Sequence, residues 1–304
     1  MTFDIVLIGG RVIDPETNLD ALRNIGIRDG RIMAISSEML TGDQIIDVSD
    51  LVVSSGFIDL HVHGITNQEQ EYQVRDGVTT ALELEFGVPY LAEWYRSREA
   101  KAMINYGASV CWAVDRVRGI EAVNPAFEEV QHEVSAGDYR GIPSVMNHFS
   151  RAFSIELSDT GKVKMLEGIK SALTEGGVGI GVPIGYVGGA SREEVFKIYQ
   201  LAGEMHVPIF SHVRSGGTMA VQQAICDALL TNAPLHIVHI NSVTQSEIGL
   251  AIEMVQTAKK QGFDITTELY PYPAGSTGLQ TAIFDEGWQE RLGVSYDALQ
   301  WVAT

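Results

Sequence analysis

The stretch GFIDLHVHG, residues 56–64, sets two histidines two positions apart at the end of an apolar run. Side chains alternate between the faces of an extended strand, so His61 and His63 point the same way, and two imidazoles so placed can share a metal ion. The same pair could equally be two hydrogen-bonded polar residues at a strand end, so the other histidines and acids have to decide. His212 ends VPIFSHV, His239 lies near the end of LHIVHI, and Glu83 and Glu85 share a face at the end of TTALELE. Each histidine taken singly reads as a hydrogen-bonded core residue. Two acids on one face of a buried strand are costly unless they are paired or bound to a metal. Neutral imidazole and carboxylate suit Zn²⁺ or a similar divalent ion. A coordination position left open would lower the pKa of a bound water enough to give hydroxide at neutral pH.

These side chains meet only if the elements carrying them bring their ends together. Strand-like runs are predicted at 56–63, 77–85, 107–114, 177–184, 207–213, 235–240 and 263–270. Helical periodicity falls between them at 91–106, 162–176, 191–205, 217–231 and 246–262, and Ser191 with Glu194 three residues later reads as a capping box. Strand–helix alternation implies a parallel sheet with helices outside. In a parallel barrel every strand C-terminus lies on one rim, where His61, His63, a strand-two Glu, His212 and His239 would converge. No GxGxxG phosphate loop follows the first strand to favour an open doubly wound sheet.

The fold expected is therefore α/β: a TIM-like (β/α)8 barrel over 56–304, preceded by the N-terminal part of a small β-sandwich over 1–55. Residues 1–55 read as short antiparallel strands turning at Gly9-Gly10 and Asp29-Gly30. Only seven barrel strands can be counted. The tail from 279 holds Trp288, Tyr296 and Trp301, reads as helical from Ser295, and offers no eighth strand. The chain stops within that apolar run, and the expectation is a piece truncated before strand eight, poorly soluble through its unpaired edges.

With 304 residues and 45% hydrophobic content the chain has material for a large core. A net charge of −18 argues against nucleic acid or an anionic membrane as partner. Cys111 and Cys226 give no disulfide framework and read as buried thiols. The opening MTFDIVLIGG reads as a strand and not a signal peptide, and no apolar run approaches 18 residues, so the expected place is the cytoplasm.

GFIDLHVHG, SHVRSGG and HIVHINS, with GVTT at 77–80 and YPYPAGSTGL at 270–279, resemble the amidohydrolase superfamily of metal-dependent hydrolases, and within it the D-aminoacylases or N-acyl-D-amino-acid deacylases. The resemblance implies that His61 and His63 hold one metal position and His212 and His239 the other, with one or two ions bound. The bridging ligand of the D-aminoacylases is a cysteine just after strand two. Here a gapless match puts Phe86 in that place, so Glu85 is expected to reach the same point, with Glu83 as the alternative. The general base of the family is an aspartate at the end of strand eight. Only Asp285 and Asp297 come late in the chain, neither on a strand, and no catalytic residue is assigned.

Tyr270 and Ser276 match deacylase positions that contact substrate. Arg214, two residues past His212, would face the site and hold a substrate carboxylate. Asn241 stands where deacylases often carry a lysine, and Tyr186 with the glycines of GYVGGAS would form a loop over the site. The reading is a metal-dependent hydrolase of a small-molecule amide, an N-acyl-D-amino acid by preference. The rivals are a cyclic amidase of the dihydroorotase or hydantoinase kind, disfavoured because GVGIGVPIGY lacks a strand-four lysine, and an inactive chain that only binds metal or partners. Oligomeric state has no signature in the sequence.

Overall fold

The computed structural model describes residues 2–120, 123–214, 216–279 and 281–300. Contacts divide it into two compact units, Met1–Phe57 and Ile58–Thr304. In the first unit β1 (Thr2–Asp14), β2 (Leu19–Arg28), β3 (Arg31–Ser36), β4 (Thr41–Asp47) and β5 (Val52–Ser54) form one sheet in the order β3-β2-β1-β4, with β5 also on β1. Asp29 and Gly30, both at positive φ, make the tight turn between β2 and β3.

Two expectations for this unit give way. The sheet is mixed and not antiparallel, because β1 pairs in parallel with β4 and β5. Gly9-Gly10 is not a turn: β1 runs through it with a register shift between Leu7 and Gly10. Gly9 adopts φ +77 and donates its N–H to Asn24 Oδ1 at 3.0 Å. A bulge needs one residue in a left-handed conformation, which glycine adopts without a Cβ clash.

The second unit carries a seven-stranded sheet in the order β12-β11-β10-β9-β8-β7-β6. Its strands are β6 (Phe57–Asp59), β7 (Val78–Val88), β8 (Asn105–Cys111), β9 (Ile180–Pro183), β10 (Ile209–His212), β11 (Leu235–Ile237) and β12 (Ile265–Thr267), parallel from β7 onwards. A strand is present in each segment predicted over 56–304, in sequence order beside the next, but the first ends at Asp59, so His61 and His63 follow it and do not lie on its face. Helices Asp159–Thr174, Arg192–Met205, Thr218–Thr231 and Ile248–Lys260 occupy predicted helical segments, while the helix expected over 91–106 ends at Arg98 and Asn105 already begins β8. Strand residues Val110, Ile180, Ile209, Leu235 and Ile265 and helix residues Met165, Ile198, Val221 and Ala251 fill one buried core between the two layers.

Several local expectations are corrected. The third strand stops at Cys111, and Trp112–Val117 is helical. Ser191 caps its helix by accepting Glu194 N–H at 3.1 Å, but the Glu194 carboxylate does not return to close the box. It pairs instead with Arg116 at 2.8 Å, both side chains wholly buried, a stronger claim on a charged group than a cap. Cys111 is buried but Cys226 is exposed. From Ser295 the tail forms only a 3-10 turn at Tyr296–Ala298, while Trp301 lies outside the described residues. Among the described residues no helix is long and apolar enough to cross a membrane.

Candidate metal centre

The site begins with an irregularity in β7. Glu83 pairs with Ala108 of β8, and the next pair is Val88 with Val110, so residues 84–87 stand opposite Ser109 alone. Ser109 Oγ donates to the freed Leu84 carbonyl at 2.7 Å, and Glu83 Oε1 accepts the Phe86 N–H at 3.2 Å. Gly87 closes the bulge at φ +76, where a Cβ would lie 2.6 Å from the Val110 carbonyl carbon and oxygen. The bulge leaves both Glu83 and Glu85 only 1% exposed at the C-terminal end of the strand.

Four imidazoles surround Glu85. His61 Nε2 and His63 Nε2 each lie 3.0 Å from its Oε2, while His212 Nδ1 lies 2.5 Å and His239 Nε2 3.3 Å from its Oε1. His239 Nε2 is also 3.1 Å from His212 Nδ1. Ligand atoms of His61, Glu85 and His239 all fall within 4.8 Å of one another. The strand ends explain the convergence. His212 closes β10, and His239 follows β11 in a left-handed conformation at φ +32. Asp59 Oδ1 accepts the His61 N–H at 3.0 Å just past β6.

A second ring of groups meets the far side of three imidazoles. Glu83 Oε2 lies 2.8 Å from His63 Nδ1, and Glu268 Oε1 pairs with His61 Nδ1. Ser242 Oγ donates to the His239 carbonyl at 3.0 Å and so can only accept from His239 Nδ1, 3.1 Å away. Carboxylates accept and do not donate, so these contacts hold the proton of each ring on Nδ1 and aim the Nε2 lone pair at Glu85. A lone pair facing a carboxylate oxygen at 3.0 Å is repulsive unless a cation, a proton or a metal, lies between them.

The charges of the metal-free site follow from this. Burial works against ionisation of Glu85, yet the four histidines hold its carboxyl well below the usual carboxylate range. Burial likewise disfavours charge on His61, but Glu268 and Glu85 outweigh it and push the ring up to about 9. His63 is raised in the same way against its burial by Glu83 and Glu85. For His212 burial prevails and the ring is lowered. Glu268, despite its burial, is drawn down to about 2 by His236 and His61.

The structure thus brings together His61, His63, Glu83, Glu85, His212 and His239, with Glu83 on the outer side of His63. Glu268 and Ser242 join them although sequence reasoning passed them over. Glu268 carried the signal already used for Glu83 and Glu85, an acid at the end of an apolar strand. Among the described residues, the expected substrate residues make no hydrogen bond to the cluster. Arg214 donates Nη2 to the Ala190 carbonyl at 2.7 Å and lines a small cavity with Tyr199 and Asp227, between the helices Arg192–Met205 and Thr218–Thr231. Ser276 is exposed. The Tyr270 main chain is held at both ends by Asn241, whose Nδ2 donates to its carbonyl at 3.2 Å and whose Oδ1 accepts its N–H at 3.4 Å. The Tyr186 ring packs 4.6 Å from that of His212. Asp285 and Asp297 lie in the tail turns, off the sheet.

No family model matches the chain. A D-aminoacylase of Alcaligenes xylosoxydans xylosoxydans is 25% identical over 297 residues, covering 91% of this chain and 59% of that protein. A dihydroorotase of Citrifermentans bemidjiense is 25% identical over 281 residues, covering 88% and 61%. Among solved structures, N-acyl-D-glutamate deacylase from Bordetella bronchiseptica superposes with a TM-score of 0.70 at 19% identity, over 90% of this chain and 59% of that one. That protein was crystallised with zinc and a phosphonate that mimics the tetrahedral intermediate of its reaction. The chain is thus similar both to proteins named D-aminoacylase or N-acyl-D-glutamate deacylase and to a dihydroorotase. It spans about three fifths of the length of the relatives it matches.

Proposed function

We propose that this chain belongs to a metal-dependent amidohydrolase acting on a small-molecule amide, an N-acyl-D-amino acid by preference. The observation that carries the reading is Glu85: a wholly buried carboxylate faced on each oxygen by two imidazole nitrogens. The donor set fits a divalent ion such as zinc, since three rings present Nε2 and their Nδ1 protons are held elsewhere. His61 and His63 would hold one position, His212 and His239 a second, and Glu85 would bridge them. Glu83 orients His63 from behind in place of ligating. A bound metal supplies a Lewis acid and a nucleophilic water at neutral pH. Tyr186, against His212, walls one side of the site, and Asn241 fixes the loop that starts at Tyr270. Tyr270 and Ser276 remain the residues proposed to contact substrate, whereas Arg214 is held between two helices.

The likeness to longer relatives supports reading the seven-stranded sheet as the first seven strands of a (β/α)8 barrel, with residues 1–55 as the N-terminal part of a small β-sandwich. The dihydroorotase likeness favours a cyclic amide as the second reading, but β9, IGVP, offers no lysine to carry a bridging carboxylate. Elemental analysis of the full-length protein tests the site. One or two equivalents of zinc in the wild type, reduced in Glu85→Ala, are expected. Undiminished zinc in the variant removes Glu85 from the site, and none in the reconstituted wild type overturns the hydrolase reading. Turnover of N-acyl-D-amino acids against cyclic ureides then decides the substrate class.

A further inference from the structure

We propose that Glu268 is a positioning residue that ties the two ends of the metal centre together, an inference that rests on the metal reading above. Glu268 follows β12 directly, and its main chain is stitched to the end of β11. Its N–H donates to the Ile237 carbonyl at 3.3 Å, and its carbonyl accepts the Ile240 N–H at 3.0 Å. That anchorage aims the side chain across the rim. A single oxygen, Oε1, then serves two ligands that come from different strands. It pairs with Nδ1 of His61, which follows β6 at the opposite edge of the sheet, and it accepts the main-chain N–H of His239 at 3.3 Å.

Both contacts control where a donor nitrogen points. At His61 the carboxylate keeps the proton on Nδ1 and leaves Nε2 facing Glu85 Oε2. At His239 it satisfies the N–H of a residue in a left-handed conformation, which a non-glycine residue keeps only when its surroundings hold it there. The His61 and His239 rings stand 5.2 Å apart, one on each oxygen of Glu85, so one carboxylate sets the spacing of the two halves of the donor set. The other oxygen, Oε2, lies 3.4 Å from His236 Nε2, and His236 Nδ1 is 2.8 Å from Thr266 Oγ1. Glu268 stands on the Nδ1 side of His61, away from Glu85, and so orients the ligands without joining them.

Two variants of the full-length protein separate this role from a merely structural one. Glu268→Met keeps the shape of the side chain and deletes its acceptors. Glu268→Gln keeps an amide oxygen for both N–H donors. Metal-stripped proteins are titrated with zinc against a chromophoric chelator, and their cobalt forms are compared by absorption spectroscopy. The expected result is a zinc affinity about 10- to 100-fold weaker in Glu268→Met with displaced cobalt bands, and near-complete recovery of both in Glu268→Gln. Wild-type affinity and an unchanged cobalt spectrum in Glu268→Met overturn the proposal, as do equal losses in both variants, which would point to charge and not to held geometry. A wild type that binds no zinc overturns the metal reading, and this inference falls with it.

Discussion

At the scale of the residue, the site is a competition between protons and metal for the same lone pairs. In the metal-free protein His61 is raised from its ordinary 6.5 to about 9, so it carries a proton at neutral pH that an incoming ion must displace. Zinc binding at pH 7 is therefore expected to release protons. Its apparent affinity should rise with pH from neutrality to about 9, by about tenfold per pH unit for each proton displaced. Calorimetric titrations in buffers of different ionisation enthalpy read this directly, and an affinity flat between pH 6 and 9 would contradict the charge assignment. The same shift governs the stability of the metal-free protein. A histidine raised on folding contributes stability that is whole below 6.5 and lost as pH climbs through 9. Glu268, lowered from 4.5 to about 2, contributes stability that is present above 4.5 and lost as pH falls through 2. The His61–Glu268 pair thus supports the fold best between about 4.5 and 6.5, and the metal-free melting midpoint should decline from there to pH 9.

At the scale of the element, the β7 bulge is what lets one strand deliver two acids to different sides of one histidine. Gly87 is its tightest point: an added Cβ would meet the Val110 main chain at 2.6 Å, and the φ of +76 is unfavourable for any L side chain. Gly87→Ala is expected to destabilise the protein by about 1–3 kcal/mol from the backbone conformation alone, more from the clash, and to lower zinc content by displacing Glu85. Chemical denaturation with metal analysis of the folded fraction checks it, and a variant as stable and as metal-replete as the wild type would show that the bulge is not needed. The bulge also marks where reading the sequence stops being sufficient. The seven strands are legible because short apolar runs alternate with helical periodicity, and His61, His63, His212 and His239 are legible because they lie at or just past strand ends. The bulge depends on Ser109, Gly87 and a main-chain approach from β8, partners distant in sequence that no periodicity of β7 announces. Arg214 shows the converse error. Parity past His212 holds only while the strand continues, and β10 ends at His212, so the chain turns and takes the guanidinium between two helices.

At the scale of the whole second unit, the sheet has two ends, β6 and β12, that do not pair with one another among the described residues. What spans them is the site itself. His61 and His63 follow β6, Glu85 lies in β7, His212 closes β10, His239 follows β11 and Glu268 follows β12. A metal held by the four imidazoles and Glu85 cross-links β6, at one edge of the sheet, to β10 and β11 across it, in a site the unfolded chain does not possess, so its binding energy becomes folding energy. At free zinc about 100 times its dissociation constant, the folded state gains about 2.7 kcal/mol, worth roughly 5–10 °C in the melting midpoint of a unit this size. Chelation should therefore lower the midpoint by that amount in the wild type and by little in Glu85→Ala, where the bridge is gone. Hydrogen exchange should localise the loss of protection to β6, β10 and β11, the strands whose ends the metal joins. A midpoint indifferent to chelator in a protein shown to hold zinc would mean that the sheet is closed by its packing alone and that the metal serves only chemistry.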